Sequence, residues 1–301
     1  MKSDFLVEIG TEELPPKILK QLSEEFASGV LDGFTKHGLN YGGEQIFATP
    51  RRLAVLIKDL DHQTADKDVV IWGPPVNVAF AGDSSPTKAA EAFAKKNNLS
   101  LNELKNHIDY DGQQDKLCLR QTKPGTQTSQ LVTDVINQSL STLSIPKRMR
   151  WGSGKEEFSR PVQWVLLLFA DYSFQDKILG LTPSNITCGH RFHANGDITV
   201  KSPSSYQQQL RDAFVIADFD QRKTAILEGI NNLNKNGSGT AVIDNDLLEE
   251  VTALNEWPVP LLGKFDQHFL SVPQEALISS MKEHQKYFHM VDKNNNLLPA
   301  F

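Results

Sequence analysis

The first 37 residues change from the hydrophobic period of a β-strand to that of an α-helix, which limits the possible folds. The segment FLVEIG, residues 5–10, alternates apolar and acidic residues, as is typical of a strand. Pro15 and Pro16 then suit a helix start, because proline fits the first turn, where its missing N–H costs nothing. Apolar residues follow every three or four positions and predict one buried helix face over residues 15–37: Leu19, Leu22, Phe26, Val30 and Phe34.

Further strands and helices alternate along the chain. Strands are predicted at residues 46–48, 53–60, 69–72, 116–122, 162–170, 214–217, 287–291 and 297–301. Helices are predicted at residues 86–97, 127–143, 204–213, 219–235, 246–256 and 273–283, the fourth stopping before Asn236-Gly237. Few strand–helix–strand units are regular enough to demand a wound parallel sheet. The sequence therefore predicts an α+β fold, a mixed β-sheet with packed helices.

The most linker-like segment is KSPSS, residues 201–205. It predicts an amino-terminal α+β region over residues 1–200, containing a basic segment at 147–160, and a second α+β lobe over 201–301. One composite domain is the alternative.

The overall charge restricts how the chain could bind nucleic acid. A general polyanion binder has an excess of Lys and Arg, whereas this chain has a net charge of −6. Any contact with nucleic acid must therefore come from local basic patches. Two cysteines are too few for a disulfide framework, and the longest apolar run, residues 162–170, is too short to span a bilayer. We expect a cytoplasmic protein without membrane contact.

The segment from Lys147 to Arg160 is the strongest candidate for such a patch. It holds five cations against two glutamates, and Trp151 follows Arg148 and Arg150. Cations that pair with phosphates and an aromatic ring that stacks on bases are the two physical means of binding RNA. The alternative is a solvated loop whose arginines pair with nearby carboxylates. Arg51-Arg52 raises the same question, and there a structural salt bridge is favoured.

Two further clusters have simpler interpretations. Cys188, His190 and His193 are possible zinc ligands, but a structural site needs four, and the two histidines of a strand-like segment would point to opposite faces. A cysteine nucleophile with a histidine base this close in sequence rarely has the required geometry. Acidic residues surround the start of the first helix, and we expect them to oppose the positive end of its dipole: Glu8, Glu12 and Glu13.

Several blocks, in order along the whole chain, resemble the bacterial glycyl-tRNA synthetase β subunit family. They are FLVEIGTEELPP (5–16), ATPRRLAV (48–55), MRWG (149–152), FSRPV (158–162), GHRF (189–192) and the long stretch 247–288, which ends in KEHQKYF. No phosphate loop, dinucleotide fingerprint or metal-binding helix motif occurs in the sequence.

The resemblance implies a β subunit in an α2β2 enzyme whose α subunit uses ATP, Mg²⁺ and glycine, so no cofactor is expected in this chain. The implied partners are the α subunit and tRNA(Gly). Family members are more than twice this length, which implies an amino-terminal fragment. The implied fold is similar to the editing module of the phenylalanyl-tRNA synthetase β subunit.

On this basis we expect no catalytic or metal-binding residue and propose nine candidate tRNA contacts. They are Arg51, Arg52, Lys147, Arg148, Arg150, Trp151, Arg160, His190 and Arg191. A purely structural scaffold ranks second. A hydrolase of mischarged tRNA ranks third, because no amino acid is smaller than glycine and larger ones are excluded sterically at activation.

Overall fold

The computed structural model describes residues 1–235 and 239–301. The chain divides into two compact units, Gln63–Gln127 and the combination of Met1–His62 with Thr128–Phe301. This division does not coincide with the predicted boundary near residue 200, which stays a prediction.

The strands are β1 (Lys2–Thr11), β2 (Gly43–Thr49), β3 (Arg52–Asp61), β4 (Lys67–Pro75), β5 (Ile108–Tyr110), β6 (Asp115–Lys123), β7 (Met149–Arg150), β8 (Glu157–Phe158), β9 (Val162–Phe169), β10 (Ile186–Cys188), β11 (Asp197–Thr199), β12 (Thr240–Ala241) and β13 (Met290–Val291). The α-helices are α1 (Pro16–Lys36), α2 (Val76–Ala79), α3 (Lys88–Lys96), α4 (Thr128–Ser141), α5 (Tyr206–Asp212), α6 (Phe219–Lys235), α7 (Asn245–Leu254) and α8 (Gln274–Ser279).

The larger unit is built on a four-stranded sheet in the order β2–β3–β1–β9. All its strand pairs are antiparallel, so the prediction of an α+β fold is confirmed, whereas the sheet is antiparallel rather than mixed. Because β1 is central, its alternate residues enter two cores. Phe5, Val7 and Ile9 pack with α1 and α4 on one face. Gly33 lets the two helices approach, since a Cβ there would lie 2.6 Å from Val135.

The opposite face of the sheet is covered by residues that follow position 200. Leu6 and Leu166 pack there with Tyr206 and Leu210 of α5 and with Val215. Residues on both sides of position 200 therefore share one core. Toward the β1 end at Thr11, this covered face becomes polar.

Four predicted elements differ from the structure. Residues 214–217 form no strand; Phe214 has φ 59°, and backbone bonds tie Ile216 to Glu256 and Ala217 to Ala48 instead. The helix predicted at 273–283 divides into α8 and a π-helix, Ser280–Gln285. The strands predicted at 287–291 and 297–301 reduce to β13 and isolated bridges. Helix α6 ends at Lys235, and the predicted stop at Asn236-Gly237 lies outside the described residues.

The smaller unit has a three-stranded antiparallel sheet in the order β4–β6–β5. Ala90 and Phe93 of α3 pack against Leu117 and Leu119 of β6. Across the described part of the chain, the helices are all too short or too polar to cross a bilayer.

Candidate functional site

The polar end of the covered sheet face holds a buried ionic cluster around Arg52. The side chain of Arg52 has no exposed surface. Its Nη2 donates to the carbonyl oxygen of Cys188 at 3.0 Å and to Oε1 of Glu256 at 3.3 Å. Its Nη1 lies 4.0 Å from Oε2 of Glu8. The predicted tRNA contact by Arg52 is wrong, because a fully covered guanidinium cannot reach a phosphate; the structural salt bridge is what forms.

Glu8 is held by side chains from three distant segments. It accepts hydrogen bonds from Nε1 of Trp164 and the hydroxyl of Tyr206, and from Oγ1 of Thr187 at 2.7 Å. The indole of Trp164 lies flat over Gly10, where a Cβ would come within 1.9 Å of the ring. Sequence reasoning did not assign Glu8 this role, because its three hydrogen-bond donors are more than 150 positions away.

The cluster changes the acidity of its members. Burial by itself lowers the pKa of Arg52, but the carboxylates of Glu256 and Glu8 outweigh burial and raise it above its ordinary value. Burial, then the charge of Glu8, raises the pKa of Tyr206 well above its ordinary value. Arg52 therefore stays charged and Tyr206 stays a hydrogen-bond donor at neutral pH.

A second buried arginine, Arg222 of α6, was not singled out from the sequence. It donates to the carbonyl oxygens of Thr252 at 2.9 Å, Ile216 at 2.6 Å and Ala48 at 2.7 Å. Burial lowers the pKa of Arg222 to about 10, so it too remains charged at neutral pH. Its role is to tie α6 and α7 to the end of β2.

Outside the buried cluster, a cleft of about 620 Å³ opens at the same end of the sheet. It is lined by Glu12, Arg51, Gln163, Trp164, Ser184, Ile186, Cys188, Arg191 and Asp197. The guanidinium carbon of Arg51 lies 5.5 Å from the centre of the Trp164 ring. Within the described residues, the buried Nε of Arg51 has no hydrogen-bond partner.

Arg191 lies at the rim of this cleft and is neutralised locally. Its Nη2 and Nη1 lie 2.7 Å from Glu12 and 2.8 Å from Glu13. The expectation that the acidic residues oppose the α1 dipole is wrong, because α1 begins at Pro16 and has no acidic residue in its first turn. Their carboxylates pair with arginines instead.

His190 and His193 lie in a turn rather than on a strand. Nδ1 of His190 accepts from the backbone N–H groups of Phe192 at 3.2 Å and His193 at 3.3 Å. The two imidazole rings stack with centroids 4.5 Å apart, so the predicted opposite orientation is wrong. Burial, together with the charges of His193, Arg51 and Arg52 and against that of Glu256, lowers the pKa of His190.

Two arginines of the basic segment, Arg148 and Arg160, donate hydrogen bonds to backbone carbonyl oxygens of the protein itself. Nη2 of Arg148 donates to the carbonyl oxygens of Leu140, Ser141 and Leu143, at 3.3, 3.0 and 3.1 Å, around the carboxyl end of α4. A cation here satisfies carbonyls that lack helical partners. Nη1 of Arg160 donates to Ser159 at 2.8 Å.

Trp151 does not present an open ring. Its side chain is half-buried and packs against the main hydrophobic core of the larger unit. Because the hydrophobic effect favours this core contact, only part of the indole is left to stack on a base, and the tRNA contact by Trp151 stays a prediction.

Three cations of this segment remain on the surface: Lys147, Arg150 and Lys155. Nε of Arg150 lies 3.5 Å from Oε1 of Glu157 across the β7–β8 hairpin, and these two side chains are 68% and 50% exposed. Such an exposed pair is weak and leaves the guanidinium available. Lys155 was counted in the charge of the segment but was not chosen as a contact.

The sequence profile of the family described as "Glycyl-tRNA synthetase beta subunit" matches residues 5–301. The chain belongs to this family. The chain is 48% identical over 300 residues to the glycine–tRNA ligase β subunit of Marinobacter nauticus and 46% identical over 298 residues to that of Ectopseudomonas mendocina. Each alignment covers 99% of this chain and 43% of the relative.

Within this glycyl-tRNA synthetase β subunit family member, the nine candidates fall into two groups. Arg51, Arg52, His190 and Arg191 meet at the polar end of the sheet, around the buried cluster and its cleft. Lys147, Arg148, Arg150, Trp151 and Arg160 lie between α4 and β9, in and beside the β7–β8 hairpin. Burial separates the members of each group into those that support the fold and those that face solvent.

Proposed function

We propose that this chain is a portion of a glycine–tRNA ligase β subunit that assists tRNA recognition and assembly of the enzyme. The observation that carries the proposal is the family match over residues 5–301, together with 46–48% identity to β subunits across nearly the whole chain. In the proposed division of labour, the complex is an α2β2 tetramer. Its α subunit uses ATP and Mg²⁺ to glycylate tRNA(Gly), and this chain supplies no catalytic residue.

The hairpin β7–β8 and its flanks are the proposed phosphate-contacting surface. Lys147, Arg150 and Lys155 are exposed, so they can pair with phosphates without breaking buried contacts. Arg52 and Arg148 are unsuitable, because Arg52 is committed to a carbonyl and a carboxylate inside the protein and Arg148 to three carbonyl oxygens. Arg51 and Arg191 are the remaining exposed or half-buried arginines beside the cleft.

A salt series tests the proposed surface. Each lost phosphate contact lowers the dependence of log affinity on log salt by roughly one unit or less, so the triple variant Lys147→Ala/Arg150→Ala/Lys155→Ala should lower it by about two units. The measurement is tRNA(Gly) binding by the assembled enzyme at several salt concentrations.

The matched control removes three exposed lysines of the smaller unit: Lys88, Lys95 and Lys96. It changes net charge equally, so a general charge effect would alter both variants alike. Equal slopes for the wild type and the hairpin variant would exclude the hairpin as a phosphate-contacting surface.

A further inference from the structure

An aromatic ladder runs along the surface beside the Arg51 cleft. His190 stacks on His193 with ring centroids 4.5 Å apart, and Phe192 lies 6.1 Å from His190. His193 continues to Phe214 at 5.4 Å, and Phe214 contacts Trp257 edge-on at 5.4 Å. Five aromatic rings thus form a continuous row of ring contacts at this surface.

Two members of the ladder, Phe192 at one end and Phe214 within it, are unusually exposed for apolar rings. Phe192 is 79% exposed and Phe214 is 39% exposed. An aromatic side chain that has most of its area in water gains little from the fold, since aromatic rings contribute mainly by burial. Exposed aromatic rings grouped together are typical of a surface that binds a partner.

The ladder is held in place by its backbone. The backbone N–H of His190 donates to Ala213 at 3.0 Å, and that of Ala194 donates to His190 at 3.0 Å. Phe214 has φ 59°, a left-handed conformation that is rare for a bulky residue. Strain of this kind persists where the surrounding structure imposes it, and it is concentrated at binding surfaces.

We propose that this ladder stacks unpaired nucleotides of the bound RNA. Bases of a single strand stack on aromatic and histidine rings, whereas bases within a duplex already stack on one another. The proposal rests on the proposed function, which supplies an RNA ligand. Arg51 lies close enough to His190 for its charge to lower the pKa of that ring, and it lines the cleft beside the ladder. In the described part of the chain Arg51 forms no ion pair with a carboxylate, so its charge is free to pair with an adjacent phosphate at the cleft.

The charges around the ladder predict how the RNA affinity that the ladder contributes should depend on salt concentration. Arg191 is already paired with Glu12 and Glu13, so this surface has few unpaired cations. Stacking of a neutral ring displaces no counterions. Loss of a ladder ring should therefore weaken binding without changing the salt slope, unlike loss of the hairpin cations.

The test uses the assembled enzyme and a fluorescent single-stranded RNA octamer, with the same octamer annealed to its complement as a second probe. Phe192→Ala should weaken binding of the single strand by about fivefold or more. Phe192→Trp, which retains a stacking ring, should keep wild-type affinity. Binding of the duplex should not change. Phe269→Ala is the matched control, because Phe269 is an exposed aromatic ring (46%) paired with His268 outside the ladder.

Three results for Phe192→Ala would overturn the inference. Its affinity for the single strand could equal that of the wild type, or it could lose affinity equally for the single strand and the duplex. Its α and β subunits could also separate during sedimentation. The last result would assign the ladder to a protein partner. If Phe192→Ala has no effect while the hairpin variant still lowers the tRNA salt slope, the ladder inference fails and the proposed function stands. If the triple hairpin variant also leaves the salt dependence of tRNA affinity unchanged, both the ladder inference and the proposed phosphate-contacting surface fail.

Discussion

Replacement of Arg52 by methionine should destabilise the larger unit by about 3 kcal/mol, because removing one partner from a buried ion pair costs about 3–5 kcal/mol. Methionine keeps much of the side-chain volume, so the loss reports charge and hydrogen bonding rather than a cavity. The value lies near the lower limit because Glu8 retains three other donors. Among the described residues, Glu256 retains one side-chain hydrogen-bond donor, the hydroxyl of Thr49 at 2.7 Å.

The assay is urea unfolding of the chain, followed by tryptophan fluorescence, with the free energy of unfolding extrapolated to water. Arg150→Met is the control, since its exposed pair with Glu157 should contribute between zero and about 1 kcal/mol. Adding Glu256→Gln to Arg52→Met should recover part of the loss, because it removes an unpaired buried charge. A loss for Arg52→Met no larger than that for Arg150→Met would refute the buried-cluster reasoning.

Two further predictions concern the same end of the sheet. Gly10→Ala should cost about 1–3 kcal/mol in urea unfolding, because the added Cβ displaces Trp164, whereas Gly43→Ala, with open space around its Cβ, should cost much less. Equal losses would contradict this packing. Because the pKa of His190 is lowered in the folded state, the unfolded chain binds its proton first as pH falls. Stability should therefore drop below about pH 6.5, and His190→Asn should reduce that drop; an unchanged pH profile would exclude His190 as a source.

The local elements of the larger unit could be predicted well from hydrophobic period. The alternation in residues 5–10 and the helical spacing from Leu19 to Phe34 correspond to β1 and α1. Both patterns depend on neighbours within a few positions, so no tertiary information is needed to recognise them. The inserted unit Gln63–Gln127 was not predicted, because its elements resemble those on either side and only contacts distant in sequence separate it.

The candidate site was less predictable, as two adjacent arginines illustrate. Arg52 shares a strand face with Ala54 and Leu56, and that face is covered by the polypeptide around Cys188 and Glu256. Arg51 precedes the strand and lines the open cleft. Arg51 and Arg52 are the same residue type at adjacent positions. No local sequence signal could therefore distinguish the arginine that forms a buried ion pair from the one that lines the cleft.

The amino-acid sequence by itself determined the α+β class, the main strands and helices and the family to which the chain belongs. These properties depend on periodicity and on blocks of consecutive residues. Only the tertiary structure decided which charged and aromatic side chains face solvent, turning Arg52 and Trp151 inward and Phe192 outward. The physical reason is that burial is imposed by segments more than 100 residues away, whose approach is a property of the whole fold.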